Sequence, residues 1–72
     1  MNSQCEWILA DLMGGREISQ MDAYMDYGCT RLAARISDLR KAGYEINARM
    51  ETRKNRYGRI VRYAVYSMEA GA

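Results

Sequence analysis

Apolar residues recur at helical spacing through the first part of the chain. They predict helices over about residues 3–13, 20–27 and 30–42, because apolar positions three to four residues apart form one helix face. The expected N-caps are Ser3, Ser19 and Thr30, and the expected terminating glycines are Gly14, Gly28 and Gly43. A short extended piece at residues 16–18 separates the first two helices.

The large apolar side chains of the first two helices are expected to build the core. Trp7 is expected to anchor the first helix there. In the second helix, Met21, Tyr24 and Met25 are spaced to reach the core or its rim.

After Gly43 the period of the pattern changes from about 3.6 to 2. Alternate residues from Tyr44 to Met50 are apolar, which predicts a half-buried strand over about residues 44–51. A turn follows, in which Asn55 and Gly58 can take positive φ, and then a return strand over about residues 59–68. Two inward phases of that strand stay open, one with Val61, Tyr63 and Val65 and the other with Ala64, Tyr66 and Met68. Residues 69–72 are expected to fray.

The order of these elements predicts an α+β fold in a single domain over residues 1–72. Two helices joined by a turn of about three to four residues that contains glycine form a helix-turn-helix unit. A hairpin directly after that unit makes it a winged helix-turn-helix. The predicted fold is therefore three helices followed by a two-stranded β-hairpin wing.

Charge is divided unevenly along the chain. Residues 1–29 contain one basic residue against five acidic ones, whereas residues 30–72 contain ten against four. Such a split favours an anionic partner for the second half, with nucleic acid first among the candidates. Because 49% of the residues are hydrophobic, a folded domain is expected rather than a disordered basic tail.

The residues that several other protein classes require are missing. The sequence has no His, no metal-ligand cluster, no glycine-rich phosphate loop and no nucleophile at motif spacing from a base. We therefore expect neither an enzyme nor a metal, cofactor or small-molecule substrate. Cys5 and Cys29 are expected to be reduced, partly buried thiols. No apolar run approaches about 18 residues and no secretory leader is visible, so a cytoplasmic location without membrane contact is expected.

The segment Cys29–Ile46, CTRLAARISDLRKAGYEI, resembles small winged helix-turn-helix proteins encoded by bacteriophages and prophages. The short segments KNRYG at 54–58 and VRYA at 61–64 share the resemblance, which covers the chain from about residue 3 to 68. It implies DNA binding through the third helix and the wing, usually by a regulator. The second helix departs from the family pattern, because Asp22 and Asp26 make it acidic where phosphate contact is usual.

The third helix has one polar face that the core does not need. Its predicted inward face consists of three apolar residues at i, i+4 and i+7 with a neighbouring alanine, namely Leu32, Ile36, Leu39 and Ala33. The outward residues, predicted to contact DNA, are Thr30, Arg31, Ala34, Arg35, Asp38 and Lys41. Arg31 and Arg35 are the expected base readers, because the arginine fork fits guanine N7 and O6 in the major groove. An ordinary solvated face, with Asp38 paired to one of the arginines, is the alternative.

The predicted hairpin tip is strongly basic and has no acidic residue between positions 53 and 62. The residues predicted to contact DNA there are Arg53, Lys54, Asn55, Arg56, Tyr57, Arg59 and Arg62. Such cations suit phosphates or the minor groove beside the site that the helix reads. An edge strand that carries Lys and Arg only to prevent aggregation is the alternative.

These features together predict a sequence-specific double-stranded DNA-binding protein, acting as a phage or prophage transcriptional regulator. Its third helix would lie in the major groove and its wing on the backbone. A homodimer or a cooperative array would raise the modest affinity of so small a domain. Two other functions stay open. One is an excisionase-like factor that bends DNA in recombination. The other, which the acidic first half keeps open, is a protein-binding module that inhibits a host nucleic-acid enzyme.

Overall fold

The computed structural model describes residues 3–69, which form three helices and one three-stranded sheet. The helices are α1 (Ser3–Met13), α2 (Gln20–Tyr27) and α3 (Leu32–Lys41). The strands are β1 (Ile18–Ser19), β2 (Asn47–Lys54) and β3 (Ile60–Ser67), antiparallel in the order β1-β3-β2. The prediction of a two-stranded sheet is wrong, because the short extended piece before α2 pairs with β3.

The core lies between the three helices and one face of the sheet. Its buried members come from every helix and from the segments around them, namely Cys5, Ile8, Leu12, Ile18, Ala23, Cys29, Leu32, Ile36, Leu39 and Ile46. Five larger, partly buried side chains pack against this cluster, namely Leu9, Tyr27, Tyr44, Tyr66 and Met68. A small number of buried aliphatic side chains therefore holds all the elements together.

Several large side chains expected in the core lie at the surface instead. Trp7 is 51% exposed and stacks on Tyr27 beside the core, with the ring centroids 6.4 Å apart. In α2, Met21, Tyr24 and Met25 are all exposed, and Ala23 is the buried residue. α2 meets the core through Ala23 and, at its end, Tyr27, so Met21, Tyr24 and Met25 lie on the side that faces solvent.

The turn between α2 and α3 is closed by a glutamine rather than by the predicted cap. Ser19 caps α2 as expected, in a capping box with Asp22. Thr30 does not cap α3, because that helix begins at Leu32 and has no side-chain cap. The Gln20 carboxamide accepts a hydrogen bond from the Leu32 amide at 2.8 Å and donates one to the Cys29 carbonyl at 2.7 Å. Gln20 thereby joins the start of α2 to the start of α3.

The hairpin extends further from the core than the sequence pattern suggested. Every residue from Thr52 to Arg62 is exposed, and so are Ala48 and Met50, which were expected to face inward. β1 pairs only with Tyr66 and Val65, so the sheet has three strands at its base and two beyond it.

The base of β3 is covered on both faces, which explains why its phase was undecided. Tyr66 and Met68 pack on the core, while Val65 is buried on the opposite face.

Ser3, the predicted N-cap of α1, is the first residue of that helix rather than the residue before it. Of the predicted tail, residues 70–72 lie outside the described residues.

Candidate nucleic-acid interface

α3 has a buried face and a solvent face. Leu32, Ile36 and Leu39 are buried, so the inward face predicted for this helix is confirmed for these three residues. Of the residues predicted to contact DNA, Thr30, Arg31, Asp38 and Lys41 are exposed, whereas Ala34 and Arg35 are half-buried. Ala33, expected beside the core, is exposed.

Arg35 is held against the protein surface rather than extended into solvent. Its side chain is 24% exposed, and its guanidinium pairs with Asp38 one turn later at 3.3 Å. The Arg35 Nε atom is buried without a hydrogen-bond partner. Buried donors are usually satisfied, so this arginine has hydrogen-bonding capacity that the fold leaves unused. The ion pair with Asp38, which was the alternative interpretation of this face, is present.

Ser37 belongs to the solvent face of α3 although it was not among the predicted contacts. When the helix is viewed down its axis with the buried residues pointing to the core, Ser37 lies on the opposite side, together with Ala34 and Lys41. Helical periodicity alone would have identified it. A serine hydroxyl can hydrogen-bond to a phosphate or to a base edge.

Arg40 joins the end of α3 to the beginning of the hairpin. Its Nη2 and Nε atoms donate to the Ile46 carbonyl at 2.7 and 3.2 Å. Ile46 is itself a core residue. These two hydrogen bonds therefore connect α3, the candidate recognition helix, to the base of the wing. The sequence pattern gives no signal for this contact.

The tip of the wing is built around Asn55. Its backbone N–H donates to the Arg59 carbonyl at 2.8 Å. Its side-chain oxygen accepts hydrogen bonds from the backbone N–H groups of Tyr57 and Arg59 at 2.9 and 3.1 Å. Gly58 has a φ of 77°, as predicted, whereas Asn55 does not take positive φ. The Asn55 side-chain oxygen thus shapes the turn, although the residue was predicted as a DNA contact.

The strand register gives the wing two different faces. Ala48 and Tyr66 align with the core residue Ile18, so residues of the same phase lie on the helix side of the sheet. Towards the tip that side carries Met50, Thr52, Lys54, Ile60 and Arg62. The opposite side carries Glu51, Arg53, Val61 and Tyr63.

All five cations predicted in the wing are exposed. Arg53, Lys54, Arg56, Arg59 and Arg62 form no ion pair with any residue in the described range 3–69. Arg56 lies over the ring of Tyr57, 5.5 Å from its centroid. Their charges are therefore available to an anionic ligand.

At the base of the hairpin, by contrast, an arginine is neutralised. Arg49 pairs with Glu17 and with Glu51, the latter at 2.6 Å, and the Tyr63 hydroxyl donates to Glu51 at 3.0 Å. The hydrogen bonds from Arg49 hold the pKa of both Glu17 and Glu51 below the usual glutamate range. The same bonds raise the pKa of Arg49. This network connects the segment before β1 to β2.

Arg16 is neutralised in a second network, between α1 and α2. It pairs with Asp26 and, at 3.1 Å, with Asp11. The Tyr27 hydroxyl donates to Asp11, and Trp7 stacks on the Tyr27 ring. Burial, followed by the hydrogen bond to Asp11, raises the pKa of Tyr27 well above its ordinary value. The hydrogen bond to Asp26 raises the pKa of Arg16.

No metal site and no membrane span is found in the part of the chain that the structure describes. Within residues 3–69, no three acidic, cysteine or histidine side chains are grouped so that they could hold a metal ion. None of the described helices has both the length and the apolar character needed to cross a bilayer.

Three helices, with a tight turn between the second and third and a hairpin after them, define a helix-turn-helix unit that carries a wing. A protein-family model described as a winged helix-turn-helix domain matches residues 3–71. The chain therefore belongs to the winged helix-turn-helix family, a fold that suggests DNA binding. Searches of curated proteins and of solved structures returned no significant match.

Proposed function

We propose that this protein binds double-stranded DNA in a sequence-specific manner and regulates phage or prophage transcription. α3 enters the major groove, and the wing lies on the adjacent backbone. The phage context rests on the sequence resemblance of the α3 region and the wing. The protein acts in the cytoplasm by occupying its site, without catalysing a reaction and without a cofactor.

The observation that carries this proposal is the distribution of unpaired cations. Of the 11 Lys and Arg residues, Arg16, Arg35 and Arg49 are in ion pairs and Arg40 is bonded to a carbonyl. The remaining cations lie before α3, at its end and along the wing, namely Arg31, Lys41, Arg53, Lys54, Arg56, Arg59 and Arg62. Among the described residues 3–69, unpaired Lys and Arg charge is thus restricted to α3 with the residue before it and to the wing, the two regions that would contact DNA.

The two elements have different roles in this proposal. Arg31 and Arg35 read bases from α3, and Asp38 positions the Arg35 guanidinium. Thr30 and Lys41 contact phosphates in the same interface. The small side chain of Ala34 lets α3 approach the floor of the groove. The wing cations and Tyr57 contact the phosphates that flank the site, without reading sequence.

Selection of bound fragments from genomic DNA, followed by fluorescence anisotropy on the recovered duplex and on random duplex, tests the proposal. We expect the recovered duplex to bind at least about tenfold more tightly, and log K to fall with log salt at a slope of about −4 to −5 if four to six phosphates are neutralised. Absence of binding to either duplex at low salt would contradict the proposal.

A protein-binding role is the second candidate, and the surface of α2 favours it. Met21, Tyr24 and Met25 are exposed beside two aspartates, and that surface is unsuited to phosphate. If no DNA is bound at low salt, inhibition of a host nucleic-acid enzyme through this domain becomes the leading function.

A further inference from the structure

The solvent side of α2 is both apolar and acidic. Met21, Tyr24 and Met25 are 66%, 57% and 71% exposed, and Met21 neighbours both of the others on the helix surface because they follow it by three and four residues. Asp22 and Asp26 lie beside them along the same helix. We call Met21, Asp22, Tyr24, Met25 and Asp26 the α2 face. Its carboxylates already have partners, because Asp22 is half-buried in the capping box with Ser19 and Asp26 pairs with Arg16. Arg16 also pairs with Asp11, so three carboxylates stand against one arginine and the surface stays net negative. Three large exposed apolar side chains on an eight-residue helix mark an interaction surface rather than scattered exposure.

Aromatic rings extend this surface towards α1. Tyr27 follows Tyr24 by three residues and stacks on Trp7. Trp7, Tyr27, Asp11 and Asp26 line a shallow depression between α1 and α2. The guanidinium of Arg16 lies 6.0 Å from the Tyr27 ring centroid, so this ring already receives one cation. Arg16 also pairs with Asp11 and Asp26, so the chain's own arginine shows which group aromatic rings and carboxylates side by side bind here.

The charge of the α2 face determines which partner fits. A symmetric contact between two α2 faces would bring Asp22 and Asp26 of each copy towards those of the other, and such like-charge contact is destabilising. A complementary surface must instead be basic and carry its own apolar side chains.

The wing has this composition. Its tip carries Arg56 and Arg59 beside Tyr57, which is 78% exposed, and Ile60, which is 69% exposed. Within residues 3–69 these arginines have no ion-pair partner. The basic and the acidic surface lie on the same chain, so two copies can satisfy each other.

We propose that the wing tip of one copy docks on the α2 face of a second copy, in a head-to-tail contact. Arg56 and Arg59 then meet the acidic side of the α2 face, where Asp26 is shared with Arg16, while Tyr57 and Ile60 cover the exposed apolar residues of α2. Because the two surfaces differ, a pair of copies keeps one free α2 face, on the copy whose wing is docked, and one free wing, on its partner. The contact therefore propagates into short chains or closes into a ring.

This contact does not depend on DNA, but it uses the same cations that the proposed function assigns to phosphates. A wing tip docked on a neighbouring copy cannot contact phosphates at the same time. DNA and the neighbouring copy therefore compete for the wing, and the free protein is held in an assembly that DNA dissolves.

Two substitutions separate the two surfaces. Met25→Lys places a positive charge on the α2 face, and Arg59→Glu reverses one charge of the wing tip. Each is expected to weaken self-association at least about tenfold at low salt, measured by sedimentation velocity over a range of protein concentrations. Met13→Lys is the matched control, since Met13 is a 61% exposed methionine on α1, outside the α2 face. It should self-associate like the wild type.

Mixing the two variants gives the decisive result. The Met25→Lys chain keeps an intact wing, and the Arg59→Glu chain keeps an intact α2 face. One head-to-tail contact can therefore form between them, and we expect a 1:1 heterodimer that does not grow further. Raising the salt from about 50 to about 300 mM should weaken it, because exposed charges are screened.

Several results would overturn the proposal. One is a wild type that stays monomeric at millimolar concentration and low salt, since the α2 face would then have no homotypic occupant. Another is a variant mixture that stays monomeric. A third is a Met13→Lys control that loses association together with Met25→Lys. None of these results bears on DNA binding, which is measured separately on duplex at protein concentrations below those of self-association.

Discussion

The base and the tip of the hairpin are both rich in arginine, but they differ in what those arginines contact. At the base, Arg49 is paired with Glu17 and Glu51, and its pKa is raised by the hydrogen bonds to them. At the tip, Arg56 and Arg59 have no acidic partner among the described residues. The same residue type therefore stabilises the sheet in one place and leaves charge available in the other. Composition alone would count both as part of one basic surface.

The largest effect is expected at the tip. Replacing Arg56 and Arg59 together by Ala should lower DNA affinity about 60-fold near 0.1 M salt and reduce the salt slope by about 2, because two phosphate contacts are lost. The affinities for specific and random duplexes should fall alike. The free energy of unfolding should change by less than about 0.5 kcal/mol, as is usual for exposed positions. Anisotropy titrations at several salt concentrations and urea unfolding measure both quantities.

Arg35 is intermediate between the neutralised Arg49 and the unpaired arginines of the tip, because it is paired with Asp38 but belongs to α3, the candidate recognition helix. Arg35→Ala should reduce the affinity for the specific site by about 1–3 kcal/mol while affecting random duplex much less, since a base reader carries discrimination. Lys41→Ala is the matched comparison, because it removes a nearby cation that the proposed function assigns to a phosphate, and it should affect both duplexes equally. Equal losses for Arg35→Ala on both duplexes would assign this arginine to the backbone instead.

The shape of the tip can be tested without changing its charge. Gly58 has a φ of 77° with open space around the position of a Cβ atom, so Gly58→Ala strains the backbone without a steric clash. A left-handed alanine costs about 1–2 kcal/mol, which should loosen the turn. We expect a loss of DNA affinity of a few fold with an unchanged salt slope. A changed slope would mean that the conformation of the tip determines how many of its cations reach phosphates.

The smallest effect is expected at the base. Arg49→Met should leave the salt slope of DNA binding unchanged, because this charge is already neutralised. Glu17 and Glu51 have pKa values below the usual range in the folded protein, so their pairing stabilises the fold above their ordinary pKa of about 4.3. That stabilisation is lost as the pH falls through the lowered values. Urea midpoints of wild type and Arg49→Met should therefore differ near pH 7 and converge towards pH 3.

The parts of the fold that could be predicted were those set by local pattern. Leu32, Ile36 and Leu39 define a buried stripe by their spacing alone, and Gly58 marks the turn of the wing. Which face of α2 packs on the core could not be predicted in this way. Periodicity shows which residues share a face, but not whether another element covers that face, and α2 approaches the core through Ala23.

Non-local contacts account for the other errors. Thr30 had the chemistry of an N-cap, yet Gln20 from the preceding helix supplies the hydrogen bond to the start of α3. The phase of β3 could not be decided because Val65 is buried on one face of the sheet while Tyr66 packs on the core on the other. In the candidate site, the pairing of Arg35 with Asp38 was foreseen as an alternative. The roles of Ser37 and Arg40 were not foreseen.

The hydrogen bonds from Arg40 to the Ile46 carbonyl have a kinetic consequence. They hold α3 and the base of the hairpin in one arrangement before any ligand arrives, so little conformational freedom remains to be lost on association. Diffusional encounter with the ligand should then limit the association rate. We expect an association rate constant of about 10⁵–10⁷ M⁻¹s⁻¹, or higher with electrostatic steering, and no slow phase from a rearrangement of the protein.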